Sequence, residues 1–229
     1  SAASDVYKRQ PILFPDVTYS FYDVWADLFK IPYDKKPLDE NFMIKKDDYY
    51  WKNGGVVFPN PNAPTGVLMP LDEIEDIISH NQDVIVIVDE AYVDFGGHSA
   101  QELLSKYENL LVVQTFSKSR SMAGMRIGYA MGSAELIKAL NDVKYSFNSY
   151  TLNQTALVLG VQAIRDREYF EETCEQFPNH IAVANESSSV TFNDLKTRSQ
   201  QAGTMIASEL KQDSLPVAIY IDKLSLIHI

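Results

Sequence analysis

A run of five β-branched residues, Val84, Ile85, Val86, Ile87 and Val88, does most to limit what this chain can fold into. Such a run has no polar face to give to water, so it reads as a strand of a parallel sheet buried on both faces. Further strands are expected at 55–58, 110–114 and 127–131, and helices at 19–30, 71–79 and 134–144. Strands that alternate with amphipathic helices predict an α/β fold, a mainly parallel sheet with covering helices. In 71–80, Ile74, Ile77 and Ile78 share one helical face while Asp72 and Glu73 open the helix, where acidic groups complement its dipole. That segment reads as a structural cover helix.

The residues that follow the strands carry chemistry. Asp89, Glu90, Ala91 and Tyr92 come directly after the Val84–Val88 run. The 110–114 strand leads into Thr115, Phe116, Ser117 and Lys118, with Arg126 eight residues beyond the lysine. In open α/β sheets ligands bind at the carboxyl ends of the strands. Taken singly, each of these is an ordinary strand-end or surface residue. Their joint order suits pyridoxal phosphate. A lysine amine forms a Schiff base with the cofactor aldehyde and then moves a proton at the substrate α-carbon. A carboxylate beside the pyridine nitrogen keeps that nitrogen protonated, a role that fits Asp89. Tyr92 is in reach of the ring oxygen, and Thr115, Ser117 and Arg126 suit the phosphate as two hydroxyl donors and a planar cation.

Four stretches, Phe14 to Tyr22, Asn60 to Gly66, Asp89 to Phe95, and Ser117–Lys118 with Arg126, together with Ser146 to Tyr150, carry a resemblance. From about Ile12 to Glu175 the chain resembles the large domain of fold-type-I pyridoxal-phosphate aminotransferases, and in detail the histidinol-phosphate aminotransferase family. The resemblance implies that Tyr19 stacks on the pyridine ring, Asp89 pairs with its nitrogen, Tyr92 bonds its ring oxygen and Lys118 is the Schiff-base lysine. Thr115, Ser117 and Arg126 would hold the phosphate. It also implies amino transfer between glutamate and imidazole acetol phosphate in histidine biosynthesis, hence a small-molecule amino donor, a phosphorylated carbonyl substrate and a homodimer. One position departs from the family pattern: Ala63 stands where an Asn usually precedes Pro-Thr-Gly, so either Asn62 substitutes or Tyr92 makes the ring-oxygen contact alone. Pro64 and Gly66 keep the logic of that turn, one fixing φ and the other allowing a conformation closed to other residues. The same cofactor set also serves a phosphothreonine decarboxylase-like enzyme, and an inactive fragment is the third reading.

Residues 176–223 resemble the opening of an amino-acid adenylation domain of adenylate-forming ligases, in a strand, turn, strand, helix, strand layout around Ile181 to Val183 and Val190 to Leu195. The catalytic motifs of such ligases are absent, so adenylation is not expected. Residues 1–10 and 224–229 lack periodicity and read as non-native tails. The expected organisation is therefore a partial aminotransferase large domain over 11–175 joined to a ligase-like fragment, a chimera without turnover of its own.

Composition sets outer limits. Twenty basic against 31 acidic residues leave a net charge of −11, which argues against a nucleic-acid or membrane binder. One cysteine, Cys174, excludes an internal disulfide and fits a cytoplasmic protein. His80, His98, His180 and His228 have no ligand spacing, so no metal is expected.

Overall fold

The structure, a computed structural model, describes residues 10–95, 97–166, 181–184 and 189–191. It divides into two units, Ser1–Gly160 and Val161–Ile229. In the second, strands β7 (Ile181–Ala184) and β8 (Ser189–Thr191) pair antiparallel. The expected helix and final strand of that segment lie outside the described residues.

The first unit is built on a six-stranded sheet of order β2-β1-β3-β4-β5-β6. Its strands are β1 (Ile12–Pro15), β2 (Tyr33–Lys36), β3 (Gly55–Pro59), β4 (Val86–Asp89), β5 (Leu110–Thr115) and β6 (Gly128–Gly132). All neighbours run parallel except β5 and β6. The register aligns Pro59 with Asp89 and Asp89 with Val113, so the carboxyl ends of β3, β4 and β5 lie at one edge. Because β6 is antiparallel, its first residue, Gly128, lies opposite Thr115 at that same edge.

Side-chain alternation along these strands decides which residues face which layer. Val56, Phe58, Val86, Val88, Leu110 and Val112 point to one face and are at most 2% exposed. Helix α2 (Leu71–His80) covers them with Ile74, Ile77 and Ile78, all fully buried. Each such aliphatic side chain contributes on the order of 1.5–3 kcal/mol by leaving water. The Val84–Val88 run departs from the expectation of burial on both faces: Ile85, just before β4, is 43% exposed and Ile87 half-buried. That face is closed at its two ends, over β1 by Tyr22 against Phe14 and over β5 by its partner β6, and is more open between them at β4. On β5, Leu111 is 6% exposed and sits so close to Gly132 that a Cβ added at Gly132 would lie 3.0 Å from its Cδ1.

Asp89 and Thr115 point to that opposite face, in phase with Ile87, Leu111 and Val113. Over the β1 end it is covered by helix α1 (Phe21–Phe29), whose buried Tyr22 meets Phe14 edge to face at 5.9 Å. Helices α3 (Ala134–Phe147) and α4 (Gln154–Arg165) follow β6. Ala156 on α4 is fully buried, and Gly160 lets that helix approach Ile127 and Phe116, where a Cβ would meet them at 3.1 and 3.5 Å.

Candidate active site

Asp89 ends β4 in a half-buried position. The Tyr22 hydroxyl donates to its Oδ2 at 2.9 Å and the Ala91 backbone N–H to its Oδ1 at 3.2 Å. Burial pushes the Asp89 carboxyl above the usual range, while the Tyr22 and Ala91 hydrogen bonds pull it back toward the ionised form. The Tyr22 phenol is pushed far up, by burial first and then by the Asp89 charge and hydrogen bond, so it stays a proton donor. Tyr19 lies beside it, edge to face with Tyr22 at 5.6 Å and stacked on Phe21 at 5.6 Å. The residue is 42% exposed and sits next to Tyr22, which touches Asp89.

The lysine loop leaves β5 from Thr115. Phe116 N–H donates to Ile127 O at 3.1 Å, Met122 N–H to Phe116 O at 2.9 Å and Ser121 N–H to Lys118 O at 3.0 Å, which folds the loop back on the start of β6. Lys118 is exposed, with its Nζ 5.1 Å from the centre of the Tyr92 ring. The cation therefore rests on the electron-rich face of the phenol predicted to share its site. The Thr115 hydroxyl lies 3.0 Å from Ser117 Oγ and 3.2 Å from Ile127 O, and it accepts the Ser117 backbone N–H at 3.1 Å. Arg126 adopts a left-handed φ of 56° and donates from Nη1 to Ala123 O at 3.1 Å. The buried Ser119 hydroxyl donates to Asp94, which ties the loop to the segment after β4.

Asn62, weighed above as a donor to the ring oxygen, is hydrogen-bonded to its own turn and to the segment before Tyr19. Its Oδ1 accepts the Thr18 hydroxyl at 3.0 Å, and its Nδ2 donates to Val17 O at 2.9 Å and Thr65 Oγ1 at 3.1 Å. With both amide protons used and the residue 3% exposed, Asn62 clamps the Asn60–Gly66 turn to the segment that carries Tyr19. Asn60 works in the same way, accepting Met69 N–H at 2.8 Å and donating to Met69 O at 3.2 Å. Gly66 has φ 72°, the left-handed conformation expected of it.

Two residues here were not singled out from sequence. Tyr22 follows Tyr19 by three positions, a helical spacing that puts both on one face, and that was the available signal. Glu90 is 1% exposed and accepts from Ala100 N–H at 2.6 Å, Ser99 Oγ at 2.6 Å and Gln114 Nε2 at 2.7 Å. Gln114 in turn accepts from the Tyr129 hydroxyl. Burial pushes the Glu90 carboxyl up against the opposing pull of those donors. The carboxylate stitches the end of β4 to the end of β5, the two strand ends that carry Asp89 and Thr115.

The donor set fits a planar ring bearing an aldehyde and a phosphate: an exposed amine at Lys118, a hydrogen-bonded carboxylate at Asp89, a phenol at Tyr92 and the Thr115, Ser117 and Arg126 group. All stand at one sheet edge. No group of three or more His, Cys, Asp or Glu among the described residues is placed to hold a metal ion. No helix among them is long and apolar enough to cross a membrane.

A lysine loop and a strand-end acid stand on adjacent strands of a mainly parallel sheet, and residues 2–214 match the family Aminotransferase class I and II. The chain belongs to that family. It is 46% identical over 212 residues to a histidinol-phosphate aminotransferase of Pseudomonas entomophila, covering 93% of this chain and 60% of the relative. It is 58% identical over 164 residues to histidinol-phosphate aminotransferase 1 of Methylococcus capsulatus, covering 72% of this chain and 46% of the relative. Among solved structures, the histidinol-phosphate aminotransferase of Clostridium acetobutylicum superposes with a TM-score of 0.66 at 25% identity, covering 75% of this chain and 54% of that one. The chain thus spans about half the length of the relatives it matches.

Proposed function

We propose that this chain carries the cofactor site of a pyridoxal-phosphate-dependent aminotransferase of the histidinol-phosphate type. The amino group would pass between glutamate and imidazole acetol phosphate. The observation that carries this reading is the convergence of Asp89 and the Lys118 loop at one sheet edge, in a chain whose relatives bear that name. When bound, the cofactor supplies an electron sink for the charge left as the substrate α-proton departs. Lys118 would bond the cofactor aldehyde, give way to the substrate amine, and then carry the proton at the α-carbon. Asp89 would hold the ring nitrogen protonated, and Tyr92 would donate to the ring oxygen. Tyr19 would cover the ring face, and Thr115, Ser117 and Arg126 would bind the phosphate. Asn62 would act through the shape of its turn. With this reading go a homodimer and a cytoplasmic location.

Borohydride reduction after addition of pyridoxal phosphate tests the lysine: cofactor should be trapped on the parent and lost in Lys118→Ala. Equal trapping on the alanine variant would show that another group binds it. Exposure of the loaded chain to histidinol phosphate should then yield pyridoxamine phosphate. Release of carbon dioxide from phosphothreonine instead would favour the decarboxylase reading.

For residues 176–223 we keep the opening of an adenylation domain as a second reading, supported by the antiparallel pairing of Ile181–Ala184 with Ser189–Thr191. The family match extends to residue 214 and weighs against it. Sequencing the source locus across residue 176 decides between them.

A further inference from the structure

We infer that Tyr22 is a positioning residue for the cofactor carboxylate: its hydroxyl, 2.9 Å from Asp89 Oδ2, fixes the orientation in which Asp89 meets the ring nitrogen. The inference rests on the reading of Asp89 as the partner of that nitrogen. Tyr22 is 67 residues from Asp89 in sequence, and packing brings the two together. Phe14, Tyr19 and Trp25 hold the Tyr22 ring at centroid distances of 5.9, 5.6 and 6.3 Å, and the residue is 5% exposed. A ring wedged between three others does not swing, so its hydroxyl marks one point in space. A carboxylate has about four lone-pair directions. Tyr22 and the Ala91 N–H occupy one on each oxygen, which leaves one on each for an incoming ring N–H. Without Tyr22, Asp89 would turn about its side-chain bonds and lose a donor that favours its ionised form in a partly desolvated position.

A tyrosine that served only as packing would be replaced by phenylalanine at no cost to the cofactor, which gives the test its contrast. Equilibrium affinity is measured for pyridoxal phosphate and for its 1-deaza analogue, which lacks the ring nitrogen. The proteins compared are the parent, Tyr22→Phe, Asp89→Asn and the double variant. Tyr22→Phe should bind pyridoxal phosphate about tenfold more weakly, the size expected for one hydrogen bond to a charged group, and bind the analogue as the parent does. In the double variant the loss should not exceed that of Asp89→Asn alone, because both act through one contact. Weakening of both ligands alike, or of neither, would overturn the role of Tyr22. Unchanged pyridoxal phosphate affinity in Asp89→Asn would instead overturn the assignment of Asp89 on which it rests. If Tyr22→Phe fails to fold, 3-fluorotyrosine at position 22 keeps the shape and alters only donor strength. It should shift pyridoxal phosphate affinity and leave the analogue's unchanged, and no shift in either refutes the inference.

Discussion

Replacing Glu90 with alanine removes the acceptor for three donors at once, one of them, Gln114 Nε2, at the junction between the cofactor strands. The Ala100 N–H is fully buried and has no second acceptor in reach among the hydrogen bonds of the described residues. Gln114 Nε2 has a fallback, since Ser99 Oγ already lies 3.4 Å away, and the Ser99 hydroxyl is free to rotate. One buried donor is therefore orphaned outright and two are partly compensated. At about 1–3 kcal/mol per unsatisfied buried group, the loss comes to roughly 3–5 kcal/mol once the void left by the side chain is included. Glu90→Gln keeps the shape and one strong acceptor but turns an amide N–H toward a donor, so its cost should be about half as large. Urea unfolding of the parent and both variants, followed by far-ultraviolet circular dichroism, measures these differences at constant slope. The strand ends carrying Asp89 and Thr115 should loosen together, so pyridoxal phosphate affinity should fall in step with stability. A loss below about 1 kcal/mol for Glu90→Ala would refute the reasoning, because it would mean water already satisfies these donors.

Asp89→Asn should change the pH dependence of stability. Burial raises the folded carboxyl, so the native state holds a proton that the unfolded chain has released. The Asp89 contribution to stability is therefore lost as pH rises from the ordinary aspartate range through the raised value, so the parent's unfolding midpoint, taken relative to the variant's, should fall between pH 3 and 7. An identical slope would mean that Asp89 is as well solvated folded as unfolded. Ile77→Ala should cost about 2–5 kcal/mol in the same urea assay, since the side chain is fully buried between α2 and the sheet. Gly66→Ala should cost about 1 kcal/mol from φ 72° alone, because nothing lies within 4 Å of an added Cβ. A much larger loss would point to a steric clash that the turn does not contain.

The sequence alone determined what short-range pattern controls. The strands at Val84–Val88 and before Thr115 and the isoleucine face of 71–80 were legible because residue type and helical spacing are local properties, and burial followed for the isoleucine face and for Val86 and Val88. The placement of Asp89 and Lys118 at strand ends was legible for the same reason. Strands β1 and β2 were not. Ile12–Pro15 is four residues ending in proline, and Tyr33–Lys36 is largely charged, so only their pairing with β3 and with each other makes them strands. The exposure of Ile85 depended on what packs over that face of the sheet, which the run itself does not encode. Hydrogen-bond partners distant in sequence were likewise settled by packing: Tyr22 with Asp89, Asn62 with Val17 and Thr18, and Glu90 with Ala100 and Gln114. A polar side chain in sequence offers several bonds. Which of them forms depends on the groups the fold brings within 3 Å, and on the cost of burying any that are left without a partner.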